Sequence, residues 1–312
     1  MKSNGFRIFL FIVTALFLLR ILMPSLSVPL GLVAPLAIGV GILFIAGPIL
    51  GLFLASKEPW DAVRSLSMIF AGLVLHAGSV ALGRGLKGGF LPTLLDATAQ
   101  TGLLFWCCGL GALLALLIKD KNIMVPLAVF LAGFDAFLIF SPESLPRKIM
   151  ASAPKAFEAV AAKVPTVVQT TQGTGQVAVG AYVGPADFIF LTMFFMAIFK
   201  FKMKTQQTLA VMIPVLVAYM FTVLVFGGVN IGPISLAQLP ALVPIGLTVL
   251  LVNASEFKMK TDEKVATLVV ALIAVGLAWL GIRNAQTARL QPAPPAEPSK
   301  SVPAPKPEGS AR

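Results

Sequence analysis

Apolar runs separated by short polar breaks set the layout of this chain. Nine such runs lie near residues 7–24, 28–54, 65–83, 101–118, 123–141, 182–200, 207–226, 234–252 and 265–282. Most approach the roughly 20 residues needed to cross a bilayer as a helix. The pattern predicts an all-α polytopic membrane protein of about nine transmembrane helices. The first run follows Lys2 and Arg7 in the manner of a signal peptide, but more apolar sequence comes directly after it, so it reads as a retained first helix. The second run is long and rich in Gly and Pro, which suggests a broken or tilted span, or one that hides two helices.

The longest polar break, 142–181, has a pattern of its own. "PTVVQT" at 165–170 and "QVAVGAYV" at 176–183 flank "TQGTG". Two β-prone runs around a Gly-rich turn predict a hairpin that ends at the next apolar run, the alternative being a flexible Thr/Gly-rich loop. "PKAFEAVAAK", 154–163, predicts a short amphipathic helix lying on the membrane surface. The segment 291–312 is rich in Pro and Ala and predicts a disordered tail. "FKMKT" occurs at 201–205 and again at 257–261. The pair reads as two similar Lys-rich turns rather than as an internal duplication.

Composition fits this layout. Of the 312 residues, 57% are hydrophobic and 12% charged, which excludes an ordinary soluble domain. The net charge of +11 does not point to nucleic acid, because the basic residues lie in the short breaks between spans. They gather at the ends that hold Lys57, Lys121 and both "FKMKT" turns. The opposite loops hold only Arg84, Lys87, Arg147, Lys148, Lys155 and Lys163. The positive-inside rule then places the N-terminus and the "FKMKT" turns in the cytoplasm and the 142–181 loop outside. Cys107 and Cys108 are adjacent and cannot bridge distant segments. His76 and Arg20 lie inside apolar runs. His76 reads as a polar residue satisfied within the bundle, with no metal cluster around it, and Arg20 as one that snorkels or pairs. No cofactor is expected.

Two acids break the rule that charge stays in the loops: Asp135 in "LAGFDAFLIF" and Asp187 in "VGPADFIF". A carboxylate inside a span costs a few kcal/mol, so each calls for a use. Their runs are consecutive, hence antiparallel. Asp135 lies six residues before Ser141 and Asp187 about five after the start of its run, so both sit roughly 8–9 Å below one membrane face. "QLPALVPIGL", 238–247, enters from that face and carries Pro240 about six residues in, where proline would loosen the helix. Two close carboxyls in a low-dielectric site share a proton, so one can serve as base while the other serves as acid. That pairing activates water for peptide hydrolysis without a cofactor. The same two acids could instead relay protons or bind cations in a transporter or channel.

These motifs resemble the presenilin and signal peptide peptidase family, the GxGD intramembrane aspartyl proteases. That family has a first acid in Tyr-Asp, a second in Gly-x-Gly-Asp, and a later Pro-Ala-Leu. This chain has Phe134–Asp135, then Gly184-Pro185-Ala186-Asp187, then Pro240-Ala241-Leu242. The similarity covers about 130–250. Phe134 lacks the tyrosine hydroxyl, and Ala186 stands where the family has a second glycine. Four runs precede Asp135 and one follows "PAL", where the family has five and none. The resemblance implies a presenilin-like bundle with Asp135 and Asp187 as catalytic acids. It implies that Phe134, Gly184, Ala186, Pro240, Ala241 and Leu242 line the substrate site. It divides the chain into N-terminal helices (1–122), a catalytic core (123–253), a C-terminal turn and helix (254–290) and the tail (291–312). Implied partners are the bilayer and single-span segments or leftover signal peptides as substrates, with an exposed hairpin edge and the "PAL" backbone holding an extended substrate strand. A scaffold that binds helices without cutting them is the remaining reading.

Overall fold

The computed structural model describes residues 4–290, apart from 27, 87, 142–143, 145–147, 150–151, 171–173, 227–229, 232–233 and 236–239; the tail from 291 lies outside the described residues. Ten α-helices are described. They are α1 (Gly5–Leu22), α2 (Leu30–Ala55), α3 (Ala62–Gly83), α4 (Phe90–Leu117), α5 (Met124–Phe140), α6 (Pro154–Val160), α7 (Pro185–Lys200), α8 (Thr205–Phe226), α9 (Leu242–Val252) and α10 (Thr261–Leu290). Seven helices are long and apolar enough to cross a membrane: α1 to α5, α8 and α10. The molecule is thus an all-α polytopic membrane protein, with two small antiparallel sheets among the described residues. α7 and α9 are apolar but shorter, at 16 and 11 residues. Those two lead from the functional site.

The helices pack in the manner of a membrane bundle, through small residues. α3 and α4 lie so close that a Cβ on Gly72 would overlap the Trp106 backbone, and one on Gly109 would overlap that of Ser65. Between lipid-like faces there is no hydrophobic gain to be had, so such close backbone approach is what holds spans together. α7 packs on α4, and α10 packs on α5. The centre is aromatic and aliphatic: Phe53, Phe194, Phe195, Leu103, Met212 and Ile245 are fully buried. Outward faces carry Leu, Ile, Val and Phe, as at Phe70, Leu272 and Trp279, which suits contact with acyl chains.

The expected hairpin is present. β2 (Ala162–Gln169) and β3 (Thr174–Val183) pair antiparallel, from Ala162 opposite Val183 to Gln169 opposite Gly175. The register shifts between Val164 and Pro165, where proline has no N–H to offer the ladder. β1 (Val28–Pro29) adds a short pairing to β3 at Gly175 and Thr174. Buried Gln100 of α4 anchors the ribbon: its Nε2 donates to the Ala161 carbonyl (3.2 Å), and its Oε1 accepts from the Lys163 N–H (2.9 Å). Arg20 donates to the Lys163 carbonyl at 2.7 Å and lies 4.7 Å from the Phe44 ring centroid. His76 is buried, its Nδ1 2.8 Å from the Ala99 carbonyl.

Several boundaries differ from the sequence pattern. α2 is one continuous helix despite Pro35 and Pro48, so four long helices precede α5. The surface helix stops at Val160, because Ala162 already belongs to β2. β3 runs to Val183, so α7 starts at Pro185 and not near 182. Most consequential, α9 starts only at Leu242. Residues 234–235 form a small strand with 230–231, and Pro240 precedes the helix instead of loosening it. Proline disfavours helical backbone in the residue before it, which delays the helix start. The two "FKMKT" turns are each tied to an asparagine, but differently. Asn253 Oδ1 accepts from the N–H of Lys204, the fourth motif residue, whereas Asn122 Oδ1 accepts from that of Lys258, the second. Unequal anchoring fits two separate turns better than a duplication.

Candidate functional site

The site is built from the ends of three helices. Asp135 lies five residues before the end of α5 at Phe140. Asp187 sits in the first turn of α7, two residues after Pro185. Leu242 is the first residue of α9. The equal-depth expectation is therefore corrected for Asp187, which is nearer its helix start than five residues. The acids meet all the same. Their carboxyls are close enough to interact electrostatically. Among the described residues, neither acid makes an ion pair.

A backbone donor holds Asp135. The Leu242 N–H donates to Asp135 Oδ2 at 2.9 Å. The first N–H groups of any helix lack intrahelical acceptors, and the helix dipole puts partial positive charge there. Asp135 thus supplies the missing acceptor to the start of α9. At α7 the Asp187 N–H donates to the Gly184 carbonyl at 3.2 Å. A Cβ on Gly184 would stand 3.4 Å from Asp187 Oδ2, so this position lies directly against the acid. Of Pro240-Ala241-Leu242, the third residue touches Asp135 through its backbone, and of Gly184-Pro185-Ala186-Asp187, the first lies against the acid.

The other expected site residues are placed less centrally. Pro240 and Ala241 are half-buried and lead into α9. Ala186 is exposed. Phe134 is 39% exposed and turned outward, stacked on Phe130 with ring centroids 5.8 Å apart. It flanks Asp135 in sequence but faces away from the bundle.

Two neighbours of the acids escaped the sequence reading. Cys107 of α4 is buried beside Asp187, its Sγ 3.6 Å from the Pro185 carbonyl. Tyr219 of α8 lies within electrostatic reach of both Asp135 and Asp187. A tyrosine among the aliphatic residues of 209–218 was the available signal, one of only two tyrosines in the chain. Alongside Asp135, an apolar groove of about 290 Å³ runs between α5, α9 and α10, lined by Ala128, Gly133, Ala136, Gly246 and Ala274 among others. Comparison with known proteins finds no matching family model, no matching curated protein and no matching solved structure.

Proposed function

We propose that the chain is an intramembrane aspartyl protease of the presenilin and signal peptide peptidase kind, with Asp135 and Asp187 as its acid pair. The observation that carries this reading is the convergence of two carboxyls, free of cationic partners among the described residues, one held by the Leu242 N–H at a helix start and the other in the first turn of α7. In this reading one carboxylate takes a proton from water as the water oxygen bonds to the scissile carbonyl carbon. The other carboxyl gives its proton to the carbonyl oxygen. Collapse of the tetrahedral species breaks the C–N bond, and the amine leaves with a proton from the pair. No cofactor takes part. α7 and α9 serve as two further spans, completing a nine-span bundle with the long loop outside and the "FKMKT" turns cytoplasmic. Substrates are single-span segments or residual signal peptides. The groove beside Asp135 gives them an apolar approach, and the hairpin edge offers backbone to an extended strand.

Reconstitution in proteoliposomes with a single-span reporter tests the proposal. Cleavage that disappears in both Asp135→Asn and Asp187→Asn is the expected result. Intact reporter together with proton or cation flux that depends on the same acids would replace the protease by a transporter. Reporter binding with neither would leave a helix-binding scaffold.

A further inference from the structure

The two acids do not stand alone in their layer. Tyr219 is half-buried against the core, on a helix that packs against α9 and α7. It lies seven residues before the end of α8 at Phe226, and Asp135 lies five before the end of α5. At 1.5 Å per residue these are roughly 10 and 8 Å below the same end of the bundle, since α5 and α8 run in the same direction. Tyr219 interacts electrostatically with both carboxyls. Phe134, the aromatic next to Asp135, is turned outward onto Phe130 and cannot supply a polar group there. The other tyrosine, Tyr182, stands on β3 against Phe157, with ring centroids 5.7 Å apart.

We propose that Tyr219 is the positioning residue of the acid pair: its hydroxyl reaches Asp135 and Asp187 through a bridging water and fixes their relative orientation. A phenol suits this task because its hydroxyl both donates and accepts. It donates to whichever carboxyl is ionised and accepts from the one that is protonated, so one group serves both arrangements of a shared proton. It is also neutral at ordinary pH, so it adds no charge to a site that already holds two acids. The inference rests on the protease reading for its kinetic consequence, and on the acid pair alone for its spectroscopic one.

Tyr219→Phe removes one oxygen and keeps the ring. In the proteoliposome assay kcat should fall about tenfold to a hundredfold, the loss of a hydrogen bond to a charged group. KM should stay within about twofold, because no substrate contact is removed. The pH profile of kcat should change shape. The second arm is difference infrared spectroscopy of the carboxyl bands assigned through Asp135→Asn and Asp187→Asn. Those bands should shift in Tyr219→Phe and not in Tyr182→Phe. Unmoved bands overturn the proposal whatever the kinetics do. If the parent protein does not cleave, the protease reading fails, and the infrared arm still decides whether Tyr219 orients the pair.

Discussion

Two polar clusters lie at the hairpin end of this bundle, and they are built on opposite principles. In the first, Asp96 of α4 meets Lys163 Nζ at 2.5 Å, Arg20 binds the Lys163 carbonyl, and Gln100 binds the backbone on both sides of Ala162. Acid faces cation, and the Gln100 amide bonds two backbone groups. In the second, acid faces acid, and the Leu242 N–H, a phenol and the Cys107 thiol stand near them. The first cluster has little left to do beyond holding the ribbon to α4. The second keeps two groups that can trade a proton, at a cost the rest of the fold must cover. Complementary charge marks the first cluster, and like charge without a cationic partner among the described residues marks the one proposed as reactive.

Substitutions can break this contrast at several points. The largest effect belongs to the acids. Asp135→Asn or Asp187→Asn should lower reporter cleavage by about a thousandfold, within the range expected for loss of an acid–base group. Thermal unfolding in detergent should be unchanged or raised, because a like-charge contact is removed. Next comes the wall behind Asp187. Gly111→Leu would drive a side chain into the Ile189 carbonyl and Thr192; overpacking of this kind costs about 1–3 kcal/mol. The midpoint of unfolding should fall, and cleavage should fall with it as α7 is displaced. A smaller effect is expected at the ribbon. Gln100→Ala leaves the Ala161 carbonyl and the Lys163 N–H without their partner, at about 1–3 kcal/mol for each group that stays dry. Hydrogen exchange should rise across 162–169 before it rises in the helices. Smallest is Asp96→Asn. The pair is partly exposed, with side chains 24% and 43% accessible, so its loss should cost at most about 1 kcal/mol and matter less at high salt. A large loss of cleavage in Asp96→Asn beside a small one in Asp187→Asn would reverse the assignment of the two clusters.

The order of helices was readable because apolar length is a strong signal in a membrane protein. α1 to α5, α8 and α10 each overlap an apolar run, although α4 begins at Phe90, well before the run at 101–118. The acids were readable too, since an Asp within such a run stands out. The starts of the short helices were not. α7 and α9 begin where a strand or a loop has already carried the chain inward, and apolar residues such as Val183 and Ile234 fit either state equally well. Hydropathy reports how dry a residue is, not whether its backbone is helical. Pro185 and Pro240 held the missing information, since proline suits the first turn of a helix or the residues just before it. Tyr219 was overlooked for another reason: its partners are distant in sequence, and no local spacing announces them. Phe134 shows the converse, a residue next to Asp135 in sequence whose ring faces outward.

One junction ties the ribbon to the chemistry more tightly than any side chain does. β3 ends at Val183 and α7 begins at Pro185, with Gly184 alone between them. There is no slack in such a joint. A force that tugs or tilts the strand is delivered within two peptide units to the turn that carries Asp187. In the proposed protease, whatever grips the ribbon therefore has a lever on the acid, and substrate binding at the hairpin would be geared mechanically to the spacing of the carboxyls.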